Sequence, residues 1–532
     1  MLIGRNLRQI LILLVILPSL SRITQAKNVL AVFSFGVESP YILVRPLIQA
    51  LVQRGHQLTV ISAEKYLSPI TGIQHIRVKK LDNLLQEMTD FTFERNPNKW
   101  MEAKWLSSYF TQASHHIMTN RDVQQLLVNS SAQFDMIIMD TPHSGALCGF
   151  AEHFKAPMIG IAAFGSNWIV DYFAGNPAPS IYDPLSPVGY LYGSSSMFDK
   201  WKKWIYMTEE WLLDGLVFVP PNTKQFKKYF NNTNSNFEMS RRNYSLILVN
   251  HHFSLGRVKS NVPNLIEVAG MHICFENVEC KLDPIPEDLQ RFMNEAEHGV
   301  IYFSMGLEIQ MKWLPDCTKQ MLFQMFSSLK QRVVWKYENW ESFNNKSDNI
   351  FFASYLPQEQ ILGHPKVKLF ITHAGLLSLI EATYFGVPTL SLPLYYDQFN
   401  NAHRMHSTGA SKTIDFISIN ADILNQSIQE ILHNPSYAIN AKKLSTRFRD
   451  QPMNPLQTAI WWTEYVLRHK GAPHMRITEH DLSFMKYYNL DLISIVLLRI
   501  SLSAIIIIFL GFKLINWIRN RSHSRVNSLN SG

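Results

Sequence analysis

The stretch FITHAGLLSLIEATYFGVPTLSLPLYYDQ, residues 370–398, decides the fold of this chain. A short apolar run predicts a buried strand over residues 368–372. A helical pattern follows over residues 376–385, and Gly375 would let the backbone turn sharply between the two elements. A second strand is predicted over residues 388–394. This order places a helix N-terminus, whose free N–H groups and dipole attract phosphate, directly after a strand.

Polar residues in this stretch have the chemistry needed to bind a phosphorylated, polyhydroxylated ligand. His373 adds a hydrogen-bond donor at the turn, and Glu381 can accept hydrogen bonds from a ribose one to two turns into the helix. Asp397 and Gln398 follow the second strand, at the end of the sheet where ligands bind in open α/β folds. A carboxylate beside an amide suits a polyhydroxylated ring.

The ordered set of residues in this stretch resembles the donor-binding signature of the UDP-glycosyltransferases. The segment HAGLLSLIE is similar to the corresponding segment of the insect members. The set is His373, Gly375, Ser378, Glu381, Pro388, Asp397 and Gln398. The resemblance implies that His373 and the turn at residues 375–378 hold the diphosphate. It also implies that Glu381 binds the ribose and that Asp397 and Gln398 bind the transferred sugar. It covers nearly all of the mature chain and is strongest over residues 300–476.

Three departures from the family pattern lie around this predicted donor site. Tyr355 stands where the family usually has Trp, and its ring still offers a face for uracil beside Gln358. After Gly306 the family usually has Ser, and Leu307 removes that hydroxyl. Ala374 replaces a common Gly, which is a minor change if its φ is negative. These substitutions are expected to weaken the donor site without abolishing it.

The acceptor base that the resemblance implies is missing from this chain. The family normally has a Ser-His dipeptide after the first strand, but here Ser39 is followed by Pro40, which cannot accept a proton. Ser39 is predicted to cap a helix whose first residue is Pro40. Asp140 matches the Asp that would orient the absent His, and it is the predicted catalytic residue. Four alternatives remain: Asp140 acts alone, Glu38 or His143 serves, the acceptor is already activated, or activity is lost.

The rest of the chain predicts two α/β halves. The first starts with a strand over residues 28–35, a helix from Ser39 and a strand over residues 56–62, which is a parallel βαβ unit. The second restarts at residues 300–304. The aromatic stretch at residues 168–218 suits either core or an apolar pocket. The predicted fold is GT-B-like: two doubly wound Rossmann-type domains that face a cleft, plus one C-terminal transmembrane helix.

The ends of the chain predict a membrane-anchored luminal protein. Arg5 and Arg8, the apolar run that follows them and a small-residue site at the end of the first 26 residues are typical of a signal peptide. An apolar stretch long enough to span a bilayer precedes a basic tail, which places the tail in the cytosol. The predicted divisions are a signal peptide (1–26), an acceptor domain (27–278), a donor domain (279–455), a bracing helix and juxtamembrane segment (456–491), a transmembrane helix (492–512) and a tail (513–532).

Placement of the main body of the protein in the lumen leads to two further predictions, on glycosylation and on disulfides. Sequons make five asparagines candidates for glycosylation. They are Asn129, Asn231, Asn243, Asn345 and Asn425. Four cysteines are too few for a disulfide scaffold, and the spacing of Cys274 and Cys280 allows a pair without requiring one.

Together these features predict an inverting hexosyltransferase of the endoplasmic reticulum membrane, single-pass and type I. It would use UDP-glucose or UDP-glucuronate and a small lipophilic acceptor, with UDP-sugar as co-substrate and with no cofactor or metal. The alternative is a catalytically impaired relative that binds UDP-sugar or a lipophilic ligand and partners with active family members, as a homo- or hetero-oligomer. The net charge of +8 comes without a basic stripe that has interleaved aromatics, so nucleic acid is not an expected partner.

Overall fold

The computed structural model describes most of the chain in continuous stretches. They are residues 26–63, 65, 70–88, 98–176, 196–230, 236–255, 261–273, 284–310, 314–338, 340, 347–476 and 489–529. The chain divides into two compact units, Met1–Arg476 and Ile477–Gly532. The predicted signal peptide, Cys274, Cys280, Asn231 and Asn345 lie outside the described residues.

The first half of the larger unit is built on a seven-stranded sheet. Its strands are β1 (Asn28–Val32), β2 (Gln57–Ser62), β3 (Ile73–Arg77), β4 (Met136–Asp140), β5 (Met158–Ala162), β6 (Tyr244–Val249) and β7 (Leu265–Glu267). They are all parallel, in the order β3-β2-β1-β4-β5-β6-β7. Central strands such as β4, with the sequence MIIMD, are buried throughout, as expected where helices cover both faces of a parallel sheet.

The second half is built on a six-stranded parallel sheet. Its strands are β8 (Val300–Ser304), β9 (Arg332–Lys336), β10 (Ile350–Ala353), β11 (Val367–Thr372), β12 (Thr389–Ser391) and β13 (Ser411–Thr413). The order β10-β9-β8-β11-β12-β13 is that of a doubly wound Rossmann sheet. Large side chains fill one of its faces, among them the fully buried Trp335, Phe303 and Phe326. The predicted fold class is confirmed.

Helices connect the strands, as parallel pairing requires. The first half holds α1 (Ser39–Gln53), α2 (Leu84–Glu87), α3 (Lys99–Met118), α4 (Arg121–Val128), α5 (Gly149–Phe154), α6 (Trp168–Ala174), α7 (Met197–Leu213), α8 (Val219–Tyr229) and α9 (Phe237–Ser240). The second half holds α10 (Glu287–Asn294), α11 (Asp316–Ser327), α12 (Gln358–Leu362), α13 (Leu376–Phe385), α14 (Gln398–Ser407), α15 (Ala421–His433) and α16 (Pro435–Arg449). Short helical turns lie at Lys79–Leu81, Gly145–Cys148 and Pro473–Met475, and a π-helical turn, Asp214–Phe218, joins α7 to α8.

A later helix, α17 (Pro455–His469), ties the second half back onto the first. It packs against α1, where Nη1 of Arg54 donates to Glu464 Oε1 at 2.9 Å and to Oε2 at 3.1 Å. The carboxylate of Glu464 is buried, whereas Arg54 is about half exposed, so only the acidic partner of this ion pair is enclosed by packed side chains. This contact links the two halves through a helix at the place where the family resemblance implies a bracing helix.

Helix α7 has its apolar side chains on the outside. Its exposed residues recur every three to four positions and continue into the π-helical turn, whereas two acids of this segment point inward. Glu210 is buried with Lys99 at 3.1 Å, and Asp214 just beyond the helix is buried with Arg241 at 2.7 Å. The exposed stripe consists of Met197, Phe198, Trp201, Trp204, Ile205, Leu212 and Leu216, each at least 50% exposed. This is the reverse of the usual arrangement in a surface helix.

The smaller unit contains α18 (Leu490–Leu529). Its first 31 residues, Leu490–Asn520, contain an 18-residue window with a mean hydropathy of 2.7 in which no residue is buried, so the helix is long and apolar enough to cross a membrane. This supports anchoring in a membrane. The side of the membrane on which the larger unit lies stays a prediction.

Candidate active site

A cleft lies where the two sheets reverse their strand order. The reversal falls between β1 and β4 in the first sheet and between β8 and β11 in the second. Ligands of open α/β sheets bind at such switch points, beyond the carboxyl ends of the strands. The segments that follow β1, β8 and β11 line one cavity of about 370 Å³, a volume typical of small-molecule sites.

The imidazole of His373, directly after β11, is held between two glycines. A Cβ on Gly306 would lie 2.5 Å from Cε1 of the ring, and a Cβ on Gly375 would overlap its Nε2. Gly306 also has a φ of 82°, which favours glycine. Gly375 has a φ of −60°, so the expectation that it supplies the sharp backbone turn is wrong. Its function is to leave space for the ring of His373.

The left-handed residue of this turn is Ala374, with a φ of 66°. The replacement of the family's usual Gly is therefore not a minor change. An L-residue in this region costs roughly 1–2 kcal/mol, because its Cβ crowds the following carbonyl oxygen. Ala374 is fully buried and packs with Leu379 and Met405, so the chain carries this strain inside its donor half.

The His373 ring is uncharged at neutral pH. Burial and, to a smaller extent, the nearby positive charge of Lys336 lower its pKa to about 3. A neutral imidazole can donate one hydrogen bond. The ring stands beside the start of α13, whose N-cap, Gly375, provides no side-chain cap for the first N–H groups. This corner therefore offers several N–H donors to an anion.

The predicted ribose residue, Glu381, lies in a hydrogen-bonded network that faces the cleft. Its Oε2 accepts from Nε2 of Gln358 at 2.7 Å, and its Oε1 lies 3.2 Å from Nε2 of His272. The Gln358 amide also donates to Oγ of Ser378 at 3.0 Å and accepts from the hydroxyl of Tyr302 at 3.2 Å. His272, which the sequence reasoning missed, approaches Glu381 from the stretch after β7. The network fixes the carboxylate and the amide before any ligand binds.

The predicted sugar residues lie at the start of α14, beyond β12. Asp397 is buried, and this burial raises its pKa to about 7 even though Asn401 donates to its Oδ2 at 2.7 Å. The side-chain oxygen of Gln398 accepts from the backbone N–H groups of Leu394 and Tyr395 at 2.8 and 3.3 Å. The two side chains are thus held in fixed orientations beside the cavity. A carboxyl group with a pKa near neutrality can donate as well as accept hydrogen bonds.

Tyr355 and Leu307 stand at the outer part of the donor half. Both line the cavity, and Tyr355 is 65% exposed, so its ring is accessible to a flat ligand such as a base. Lys336 also lines the cavity, but its Nζ is held by the carbonyl of Gly306 at 3.0 Å and by Glu338 at 2.7 Å. Its charge remains close enough to favour an anion in this part of the cleft.

Apolar and aromatic side chains form the opposite wall, in the first half. They come mainly from α3 and the end of β5 and are Trp105, Leu106, Tyr109, Phe110 and Phe164. The sequence reasoning missed α3, although the pattern of its aromatic and apolar residues at intervals of three and four residues was a usable signal. The aromatic stretch at residues 168–218 is the one that the sequence analysis offers as core or as an apolar pocket. None of its described residues lines the cleft.

Pro40 lines the cleft at the start of α1. The helix begins at Ser39 and its N-cap is Glu38, so the expectation that Ser39 is the cap is wrong by one residue. The backbone N–H of Ser39 instead donates to Oε1 of Glu308, at 3.3 Å, across the cleft. Burial raises the pKa of Glu38, and the charge of Glu308 raises it further. Two carboxyl groups therefore flank Pro40, one from each half.

Asp140, at the end of β4, does not line the cleft. Its Oδ1 accepts from the backbone N–H of Ser34 at 2.9 Å, and its Oδ2 accepts from the Ser34 hydroxyl at 2.6 Å. Burial raises its pKa against the effect of these bonds. Since Ser34 in turn contacts Ser144, Asp140 sits behind the cleft wall. Its role as a base stays a prediction that would require a relay.

His143 is buried below the same wall. Its Nε2 lies 2.8 Å from the hydroxyl of Tyr396, and its ring stacks on Phe110 with centroids 4.6 Å apart. Burial lowers its pKa to about 3. The geometry gives His143 a structural role, which joins the two halves behind the cavity.

Comparison with solved structures identifies the class of protein that this fold and cleft define. The chain is similar to CalG4, the calicheamicin glycosyltransferase, with a TM-score of 0.56 and 13% identity over 84% of this chain and all of that one. It is similar to the glycosyltransferase VinC, solved with dTDP, with a TM-score of 0.54 and 16% identity over 83% of this chain and 99% of that one. At such identities the likeness shows the fold, which is that of the GT-B glycosyltransferases.

Sequence comparison then gives the family. The model described as UDP-glucoronosyl and UDP-glucosyl transferase matches residues 31–522, and the chain belongs to that family. UDP-glycosyltransferase UGT5 of Dactylopius coccus is 32% identical over 506 residues, which are 94% of either chain. UDP-glucuronosyltransferase 2C1 of Oryctolagus cuniculus is 29% identical over 86% of this chain and 92% of its own. The chain is a UDP-glycosyltransferase, and the predicted family and enzyme class are confirmed.

Proposed function

We propose that this enzyme transfers a hexose from UDP-glucose or UDP-glucuronate to a small lipophilic acceptor, with inversion at the anomeric carbon. One observation carries the proposal: all nine predicted donor residues line the same cavity as an aromatic wall from the other half of the larger unit. They are Gly306, Tyr355, Gln358, His373, Gly375, Ser378, Glu381, Asp397 and Gln398. Donor and acceptor would thus meet between the two sheets.

The donor half suits the leaving group of such a transfer. UDP gains charge as its bond to the sugar breaks, and hydrogen-bond donors aimed at this charge lower the barrier. His373 and the first N–H groups of α13 supply such donors, so we propose no metal or other cofactor at this point. Glu381 would hold the ribose hydroxyls, and Asp397 with Gln398 would fix the sugar.

The acceptor half suits flat or branched apolar molecules. Aromatic and aliphatic side chains line much of it, among them Trp105, Tyr109 and Phe110, and aromatic rings bind apolar ligands through burial of area with few directional constraints. Because Pro40 provides no proton acceptor, acceptors with an acidic hydroxyl, a carboxylate or an amine are favoured over plain alcohols in the absence of another base.

Turnover with a panel of acceptors tests the proposal. The full chain in detergent would be supplied with UDP-glucose or UDP-glucuronate and with phenols, alcohols, amines and carboxylic acids, and glycoside formation would be measured with UDP release. We expect turnover with at least one donor, and weaker turnover by the His373→Ala variant at the same UDP-sugar concentration. The anomeric configuration of the product tests inversion, and a retained configuration would contradict it.

A second candidate function is favoured by Pro40 together with the burial of Asp140 behind the cleft. A chain without a base could bind UDP-sugar or a lipophilic ligand and associate with active relatives. The two functions differ in a simple measurement. Binding of UDP without glycoside formation from any acceptor in the panel would support the non-catalytic function.

For the cellular setting we propose the endoplasmic reticulum membrane, with the larger unit luminal and α18 as the anchor. This proposal is supported by the span, by the basic residues that follow it, and by three sequons on the surface of the larger unit. Asn129, Asn243 and Asn425 are exposed and could carry glycans. Removal of glycans with an endoglycosidase should increase the electrophoretic mobility of the protein from insect or mammalian cells, and an unchanged mobility would contradict luminal placement.

A further inference from the structure

Glu308 is the carboxylate that the donor half extends toward the acceptor half. It follows β8 in the turn that also holds Gly306, at the switch point of the second sheet. Its Oε1 accepts the N–H of Ser39, the residue before Pro40, at 3.3 Å. A carboxylate is thus within one hydrogen bond of the backbone position that the family's usual base occupies.

Glu308 interacts electrostatically with carboxyl groups on both sides of the cavity. Its charge acts on Glu38 from the acceptor side and on Asp397, the predicted sugar residue, from the donor side. All three side chains line the cavity. The N–H of Ser39 and the positive end of the α1 dipole favour a negative charge at Oε1, and a carboxylate at this place can accept a proton.

The other candidates are less well placed. Asp140 is enclosed by Ser34 and Ser144, and His143 is bonded to Tyr396 below the wall. Glu38 does line the cavity, but it is the N-cap of α1, and burial favours its protonated form. Of these groups, Glu308 alone combines exposure to the cavity with a contact that joins the two halves.

We propose that the carboxylate of Glu308 is the general base for acceptor hydroxyls in this enzyme, in place of the imidazole that Pro40 excludes. This inference rests on the hexosyl transfer proposed above. The hydroxyl proton passes to the carboxylate while the acceptor oxygen forms a bond to the anomeric carbon. The bond from that carbon to the β-phosphate oxygen breaks, UDP leaves with the electron pair, and the carboxylic acid then releases its proton to water.

The test compares acceptors of different acidity in the full chain and in the Glu308→Gln variant. A positioned general base contributes on the order of 10²–10⁴-fold to the rate. We expect kcat with aliphatic alcohols to fall by about this factor, while a nitrophenol that is ionised at the assay pH loses less than about tenfold. The dissociation constant for UDP should change by less than about twofold. A substitution that merely damaged the structure of the site would also weaken UDP binding.

One control variant and one rescue sharpen the test. Glu359→Gln alters another cavity-lining carboxylate and should keep alcohol transfer within about threefold. In the Glu308→Gln background, Pro40→His should restore part of the alcohol transfer, because an imidazole would then occupy the same place.

The outcomes separate this inference from the proposed function. If the unmodified chain transfers sugar to alcohols and Glu308→Gln leaves that rate unchanged, Glu308 is not the base, although the proposed function stands. Equal losses with alcohols and ionised phenols would also overturn the inference. If the unmodified chain binds UDP but glycosylates no acceptor, the proposed function fails and the inference fails with it.

Discussion

Replacement of Asp397 by Asn should stabilise the ligand-free protein while it removes sugar transfer. The carboxyl group is buried, and its pKa rises from 3.8 to about 7. The folded state therefore holds a proton on Asp397 that the unfolded state releases between about pH 4 and pH 7. Stability from this group is fully present below the unfolded pKa and is lost as the pH rises through the folded one. Asn carries no charge and avoids this loss, and its oxygen can still accept from Asn401.

The size of the effect follows from the pKa difference. Each unit corresponds to about 1.4 kcal/mol, so the carboxylate costs the folded state about 4 kcal/mol at pH 8 and about 2 kcal/mol at pH 5. The advantage of Asp397→Asn over the unmodified chain should thus grow by about 2 kcal/mol between these pH values. The unfolding entropy is about 2.1 cal/mol/K per residue, so the unit Met1–Arg476 would then gain roughly 2 °C in Tm relative to its own difference at pH 5.

The assay is thermal unfolding of the full chain in detergent at both pH values, without nucleotide. Asp348→Asn is the matched control, because Asp348 is exposed and lies away from the cleft; its Tm difference should stay small and independent of pH. Lower stability of Asp397→Asn at pH 8, or an equal gain at both pH values, would refute the reasoning. A stabilised variant that also lost transfer would show that the carboxylate is kept for function at the expense of stability.

Three further predictions concern the donor turn and the membrane. His373→Ala should weaken UDP binding by about 1–3 kcal/mol in calorimetry, because a hydrogen bond to a charged group is lost; unchanged affinity in a folded variant would contradict the assignment. Ala374→Gly should raise the free energy of unfolding by about 1 kcal/mol, since glycine adopts a φ of 66° without strain; a loss of stability would contradict this account. Protease added to sealed microsomes should remove only the tail beyond Lys513, and digestion of the main body would exclude a luminal orientation.

Much of the fold could be predicted because the two sheets are parallel and fully buried, so their strands are short apolar runs. The strand at Val300–Ser304 and the helix Leu376–Phe385 have the predicted bounds. The strand before that helix begins one residue earlier than expected, and the strand after it is confined to Thr389–Ser391. Edge strands such as Ile73–Arg77, with the sequence IQHIR, lack an apolar run and were not predicted.

For the candidate site, the residues that line the cleft could be predicted, but the backbone conformation and the contacts between distant segments could not. Residues that follow strands at a switch point could be placed in one cleft from their order alone, and the nine donor residues are there. Conformation within the turn could not be read from residue type, so the sharp turn was expected at Gly375, whereas the positive φ is found at Ala374. Contacts between distant segments, such as Ser39 with Glu308 and His272 with Glu381, depend on the packing of the two halves, which no local pattern encodes.

The outward apolar stripe of α7 has a practical consequence for anyone who purifies this enzyme. Deletion of the C-terminal helix is a common route to a water-soluble fragment. Here the larger unit would keep Trp201, Trp204, Ile205 and their neighbours on its surface, and a contiguous exposed apolar patch promotes self-association. A fragment that ends near Arg476 should therefore still need detergent to remain monodisperse. Replacement of two of these side chains by Glu, rather than further shortening of the chain, is the change that should make it crystallisable.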